Sequence, residues 1–341
     1  MTEEAAVARR SGSGWKLALR LVVSAAFLAI LYVKAPNFDD LIPDRHHGLT
    51  FALIIAAILV AFLGVVLSAW RWQRVLVLLD AMVSVKTLTS IYLAGLFFGN
   101  VMPSTIGGDV LRVTRAGNVV GSSSTSFASV ALERLTGFVA LPLLVVTGFA
   151  LEPSLLDRKH AWIALLVAGA TVVLLGVLLF LAGHPKVAGR YADHENWMRF
   201  IGAVHRGVDR LRRDPRQIVP ILGTAILYQL SVVLMFGLIF RALDLPVPIA
   251  AVMAFSPAVL MLQVLPISVG GIGVREATLV LFLHAFLHAN SHGNEITNSR
   301  IIAAGLLWYF CMLVVSLLGA PAFAIGQRGR SAPQAAAGER A

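Results

Sequence analysis

Two stretches of the 341-residue chain place proline, paired glycine and arginine in one frame, 163 positions apart. The first runs Asn100-Val-Met-Pro103-Ser104-Thr-Ile-Gly107-Gly108-Asp109-Val-Leu-Arg112, and the second runs Gln263-Val-Leu-Pro266-Ile-Ser268-Val-Gly270-Gly271-Ile-Gly273-Val-Arg275. Five of the thirteen positions are identical and five more are close in kind. Proline lacks an N–H and disfavours helix at the residue before it. Paired glycines permit a tight turn and close backbone approach. A helix that restarts after such a turn presents free N–H groups and a positive dipole end. Arg112 and Arg275 follow the turns, and an arginine in a membrane is costly enough to have a partner or a task. Two half-helix N-termini and two arginines make an anion site, and phosphate is the natural anion of a membrane. The plainer alternatives are glycine pairs that serve packing, a snorkelling Arg112, and an Asp109 that caps a helix or pairs with Arg112. Glu133-Arg134 and Arg275-Glu276 are either local ion pairs or parts of one cross-repeat network.

The elements that carry these motifs follow from composition. The chain is 58% hydrophobic and 13% charged, where a soluble domain averages about 25% charged. A soluble enzyme, a disordered chain and a disulfide scaffold are thereby excluded; the single cysteine, Cys311, lies inside an apolar run. The net charge of +10 fits membrane orientation and anionic headgroups rather than nucleic acid, since no basic patch is interleaved with aromatics on a soluble domain. Runs long enough to span, at ~20 apolar residues, occur at 17–33, 50–70, 135–151, 161–183, 218–240 and 300–325. Shorter apolar segments at 87–102 and 249–265 lead into the two motifs, and amphipathic stretches at 117–133 and 276–288 follow them. Asp80 is expected to mark a helix end.

A cytoplasmic N-terminus puts seventeen basic residues inside and six outside, which satisfies the positive-inside rule. Residue 86 and the start of the helix at 135 then lie on one side, and residues 248 and 290 on the other. Each motif is therefore the tip of a hairpin, either re-entrant or fully spanning. The predicted fold is an all-α polytopic membrane protein with about eight membrane segments plus amphipathic helices, built as an inverted repeat with two Pro/Gly-broken hairpins. Its parts are a cytoplasmic segment 1–14, a membrane domain 15–325 with repeat halves at about 50–151 and 218–325, and a disordered cytoplasmic tail 326–341. A basic cytoplasmic loop at 184–217 holds an amphipathic stretch 196–213, read as an interfacial helix on anionic lipid. Inverted repeats with broken helices characterise secondary transporters, with the ligand where the breaks meet.

The ordered motifs, including Glu133-Arg134-Leu-x-Gly137 and Arg275-Glu276, resemble the transmembrane region of lysylphosphatidylglycerol synthases. That region also occurs as stand-alone flippase-like membrane proteins. The resemblance covers roughly 15–325 and implies movement of a phospholipid or polyprenyl-linked lipid between leaflets. The synthases add a soluble aminoacyl-transferase domain; only a short tail is expected after 325 here, so lysyl transfer is not expected. The candidate lipid-phosphate site comprises Arg112, Arg275, Asp109, Ser104, Ser268, Gly107, Gly108, Gly270, Gly271 and Gly273. Asn100, Pro103, Glu133, Arg134, Gln263, Pro266 and Glu276 support it. No cofactor or metal is expected, because the histidines fall mostly in loops and none pairs with a carboxylate motif. The leading reading is a lipid transporter in the cell membrane with both termini cytoplasmic. The alternatives are a membrane-embedded enzyme or accessory subunit of lipid or envelope-glycan synthesis, with Asp109, Glu133 and Glu276 as acid/base groups, and a scaffold for an envelope glycosyltransferase.

Overall fold

The computed structural model describes residues 47–101, 107–189, 198–265, 271–290 and 298–328. The expected first helix at 17–33, the N-terminal segment, the tail beyond 328, and Pro103, Ser104, Pro266, Ser268 and Gly270 lie outside the described residues. The described chain is helical throughout: α1 (His47–Leu78), α2 (Val85–Val101), α3 (Gly107–Val120), α4 (Ser123–Leu151), α5 (Ala161–Gly183), α6 (Arg199–Arg213), α7 (Ile218–Ala242), α8 (Ile249–Gln263), α9 (Val274–Asn290), α10 (Asn298–Leu317) and α11 (Gly319–Arg328). Five of them, α1, α4, α5, α7 and α10, are long and apolar enough to cross a membrane. The chain is a multi-pass membrane protein. Large apolar side chains such as Leu59 on α1 and Val173 on α5 are exposed, as a lipid-facing surface requires.

The four hairpin arms are shorter. α2, α3, α8 and α9 have 17, 14, 15 and 17 residues. At 1.5 Å per residue they reach about 21–26 Å, against a hydrocarbon core of about 30 Å. The hairpin arms meet the spanning helices part-way along their length. Arg112, in the second turn of α3, bonds Glu133, the eleventh residue of α4. Arg275, in the first turn of α9, stacks on Trp308, the eleventh residue of α10. About eight membrane segments were expected; five helices among the described residues are long enough to span, the expected first helix lies outside the described residues, and the two hairpins are built of shorter helices.

The halves are related by exchange of α1–α5 with α7–α11. α4 packs on α8 as α10 packs on α2; α4 meets α7 as α10 meets α1; α5 meets α8 as α11 meets α2; and α1 meets α7. The α1–α7 pair is antiparallel. The α1 end, Leu78, accepts a hydrogen bond from Arg210 on α6, and α6 joins α7 through a single 3-10 turn, Pro215–Gln217. Glycine makes the closest crossings possible. A Cβ on Gly108 would lie 2.6 Å from the Gly95 carbonyl oxygen, and one on Gly95 would lie 2.8 Å from Cγ of Arg112.

Three boundaries differ from the sequence expectation. The stretch 117–133 is not one element: Gly121, at φ +78°, ends α3, and Ser122 caps α4 by accepting from the Thr125 N–H at 3.2 Å. α4 therefore begins at 123 rather than 135. Ser126 and Ser129 in its first two turns are buried with their hydroxyls paired, Ser126 to the Val113 carbonyl (2.8 Å) and Ser129 to the Ser126 carbonyl (2.7 Å). The run 300–325 is two helices that part at Leu318, since Pro321 has no N–H to give the carbonyl of Leu317; Gly319, the first residue of α11, packs so closely on the Leu93 carbonyl that no side chain fits. Asp80 does follow a helix end, in the left-handed region at φ 61°. α6 is more than a surface helix. Its Arg212 donates to the Gly183 carbonyl (3.0 Å) at the end of α5, and its Arg210 donates to the Leu78 carbonyl (2.8 Å) and pairs with Asp80 (2.6 Å). Cations at C-terminal carbonyls answer the negative end of the helix dipole.

Candidate functional site

Ser68, Arg71 and Trp72 share one face of α1, at the three- and four-residue spacing that makes helical neighbours. Opposite them stand Tyr92 of α2, Arg112 of α3 and Glu133 of α4. The Glu133 carboxylate, 1% exposed, receives Arg71, Arg112 (3.0 Å) and the Ser68 hydroxyl (3.0 Å). The Tyr92 hydroxyl lies 3.1 Å from the Ser68 oxygen, within hydrogen-bond distance. Asp109, in the first turn of α3, takes Arg134 at 2.6 Å and Arg112 at 3.3 Å. The Arg112 guanidinium lies 4.1 Å from the ring centre of Tyr92 and 4.4 Å from that of Trp72. The Trp72 indole N–H is fixed by Ser129 at 2.9 Å. Desolvated cation–π contacts are worth about 2 kcal/mol each, which helps offset the cost of burying this charge.

The cluster holds three arginines and two carboxylates, a net charge of +1. The segments of both breaks that lie outside the described residues contain no charged side chain, so they cannot cancel it. Nε and Nη1 of Arg71 and Nε of Arg112 are buried without a hydrogen-bond partner.

The second hairpin is built differently. Gly271 and Gly273 turn the chain in the left-handed region, at φ 75° and 86°. The Gly273 N–H donates to Glu276 Oε2 at 2.7 Å, half of a capping box at the start of α9. The other oxygen of Glu276 takes Arg275 through Nη2 (2.6 Å) and Nε (3.0 Å). Both residues are 0% exposed, and the pair is neutral. Arg275 also lies over Trp308 (4.8 Å) and Tyr309 (5.6 Å). Glu276 rests on Gly305, where a Cβ would come within 2.9 Å of it.

A cavity of about 190 Å³ opens beside the first cluster. Arg71, Glu133 and Arg134 form its charged wall, and Gln229, Gln263 and Tyr228 face them from α7 and α8. An apolar cavity of about 110 Å³ shares Tyr92, Tyr228, Leu260 and Gln263 with it and continues between α1, α7 and α10 to Trp308 and Met312. The Gln229 amide donates to the Gly137 carbonyl at 3.3 Å, while Gln263 Oε1 is buried without a partner. Gly137 matters locally, because a Cβ there would lie 2.9 Å from Arg71 Nη1.

Of the residues singled out in the sequence, Arg112, Asp109, Glu133 and Arg134 come together. Glu133 pairs with Arg71 and Arg112 rather than with its neighbour Arg134. Arg275 and Glu276 form a local pair, so the four charges of the two motifs make two clusters. Neither Arg112 nor Arg275 lines the cavity; Arg134 and Gln263 do. Gly107 and Gly108 open α3, and Asn100 donates to the Ser316 hydroxyl at 2.9 Å. Arg71, Ser68, Trp72, Tyr92, Tyr228 and Gln229 were not foreseen as site residues. Arg71 is one of the seventeen basic residues in the positive-inside count; the structure places it within α1, seven residues before the end of the helix.

Searches of curated proteins and of solved structures return no match. A family model described as the lysylphosphatidylglycerol synthase TM region matches residues 17–319, most of the chain. With its two short-armed hairpins and exposed apolar helices around a charged cavity, the chain belongs to the lysylphosphatidylglycerol synthase transmembrane-region family.

Proposed function

We propose that the protein is a lipid transporter that moves an anionic phospholipid or a polyprenyl-phosphate-linked lipid between leaflets of the cell membrane. The observation that carries this reading is the paired cavity. Its polar part has Arg71 and Arg134 on the wall and buried donors of Arg71 unmet, the chemistry of a phosphate site. The adjoining apolar part suits the lipid's hydrocarbon. The cavity lies between repeat halves related by exchange, the arrangement in which one half can rock against the other around a central site. Asp109, Glu133 and Glu276, which an acid–base enzyme would use, are all engaged by arginines. The positive-inside count supports a cytoplasmic side for both termini and α6 on this reading.

The test is leaflet translocation of fluorescent phosphatidylglycerol and a short polyprenyl phosphate in proteoliposomes. Wild type is compared with Arg71→Gln and Arg134→Gln. Translocation by wild type, reduced at least about tenfold in each variant, the loss of one charge-assisted bond, is the expected result. Folded wild-type protein that moves neither lipid would overturn the transporter reading in favour of an accessory role.

A further inference from the structure

The last described helix, α11, lines neither cavity and lies across the first hairpin. We infer that α11 is a strap: docked, it ties the first hairpin to the second half of the molecule, and its release is the step that lets the halves part.

Three observations carry it. The first is what α11 touches. Its Phe323 ring stacks on Phe98, with centroids 5.6 Å apart, and lies 5.9 Å from Phe97. Both partners stand near the end of α2. From the other arm, Arg115 of α3 donates to the carbonyls of Ala322 (2.7 Å) and Phe323 (2.8 Å), and its guanidinium lies 5.4 Å from the Phe323 ring centre. One short helix thus holds both arms. The attachment begins where α10 ends: Ser316 accepts from Asn100 at 2.9 Å, and Gly319 sits against the Leu93 carbonyl.

The second is the joint. α11 meets α10 at Leu318, whose side chain is exposed, as is that of Leu317. α11 packs chiefly on α2 and only slightly on the helix it continues. A helix anchored in this way can leave as a unit by losing one set of contacts. The family match ends at residue 319, the first of α11, so the strap lies beyond the matched part of the chain.

The third is what the first hairpin would lose on either side. Toward α1 and α4 it is held by charge, Arg112 on Glu133 and Asp109 on Arg134. Pulling the buried Arg112 from Glu133 leaves charge without compensation. Toward α10 and α11 it is held by rings, by the neutral Asn100–Ser316 bond and by Arg115, which is only half-buried. Aromatic pairs and neutral hydrogen bonds cost far less to separate. The first hairpin therefore stays with α1 and α4, and the halves part between the hairpin and α10–α11.

The experiment uses the full chain in detergent. Hydrogen–deuterium exchange is followed in α2 and α3, with α8 and α9 as the internal reference. Phe323→Ala removes two aromatic pairs, together about a tenfold effect. Exchange in α2 and α3 is expected to rise at least about tenfold, and exchange in α8 and α9 to stay as it is. Opening is read separately with Leu260→Cys, a position that lines both cavities, labelled by a water-soluble maleimide. The native Cys311 is buried and gives the baseline. Labelling should be at least about tenfold faster with Phe323→Ala than without it. Phe323→Leu keeps the apolar bulk and removes the ring contacts, and it serves where the alanine variant fails to fold. Exchange that rises equally in both hairpins would make α11 a general support and overturn the inference. Unchanged exchange in α2 and α3, or unchanged labelling, would overturn it as well. Neither readout requires that a lipid be moved, so the strap and the transporter reading fail separately.

Discussion

Removing the charge of Glu276 alone should destabilise the protein, and removing the charges of Glu276 and Arg275 together should not. Both side chains are 0% exposed, and two guanidinium nitrogens reach one carboxylate oxygen at 2.6 and 3.0 Å. With charge centres ~4 Å apart, attraction at an effective dielectric of 20 is about 4 kcal/mol. Breaking one side of a buried pair costs about 3–5 kcal/mol, because a charge is left without compensation. Glu276→Gln keeps an acceptor for the Gly273 N–H, so the cap survives and the measured loss belongs to the charge. Arg275→Met gives the reciprocal loss. The double variant should return to within about 1 kcal/mol of wild type, since a buried pair replaced whole is often neutral. Thermal melting of the four purified proteins in detergent reads this as falls of order 10 °C in each single variant and recovery in the double. Single variants that melt like wild type would refute the reasoning. If Glu276→Gln were stable and bound anionic lipid more tightly, Arg275 would be a lipid ligand held in reserve rather than a brace for the second hairpin.

Gly108→Ala should cost about 1–3 kcal/mol, because the new Cβ would meet the Gly95 carbonyl oxygen at 2.6 Å between two backbones; melting temperature checks it, and an unaffected protein would mean that α2 and α3 can separate freely. Trp72→Phe should cost about 1–2 kcal/mol, by loss of the hydrogen bond to Ser129 and weakening of the stack on Arg112. A companion Ser129→Ala should be nearly additive-free with it, as a double-mutant cycle in melting would show.

The parts of the fold legible in the sequence are those fixed by hydropathy and by duplication. The spans at 50–70, 161–183 and 218–240 stand within α1, α5 and α7, because a bilayer demands long apolar helix. The duplicated proline–glycine frame marked two hairpins. What hydropathy could not reveal were polar residues made helical by pairing. Ser122–Ser129 fall within the stretch 117–133, expected as one amphipathic element, yet the chain turns at Gly121 and the hydroxyl-to-carbonyl bonds of Ser126 and Ser129 let α4 start at 123 with both side chains buried. The same blindness hid Arg71. Local composition shows an arginine near a helix end, while the glutamate that buries it is 62 positions away. Gln263 was legible only as the counterpart of Asn100 in the repeat; its place on the cavity wall depends on how α8 meets α4 and α7.

The repeat is symmetric in helices and asymmetric in chemistry, and that asymmetry bears on mechanism. Each hairpin puts an arginine beside aromatic rings and against the eleventh residue of a spanning helix, Glu133 of α4 for Arg112 and Trp308 of α10 for Arg275. In the first half the counter-charge comes from α4, and arginines outnumber acids, leaving a positive cavity wall. In the second half the counter-charge is the next residue in sequence, so the tip is neutral and carries its own cap. A neutral, self-contained tip can keep its internal bonds while the hairpin shifts as a unit. The first tip has no such independence, since displacing α3 from α1 and α4 would pull Arg112 from Glu133 and Arg134 from Asp109. On the proposed transport reading, the second hairpin is the half whose motion leaves no buried charge exposed to hydrocarbon, and the half bearing Arg71 and Arg134 is the one that would stay with a lipid phosphate.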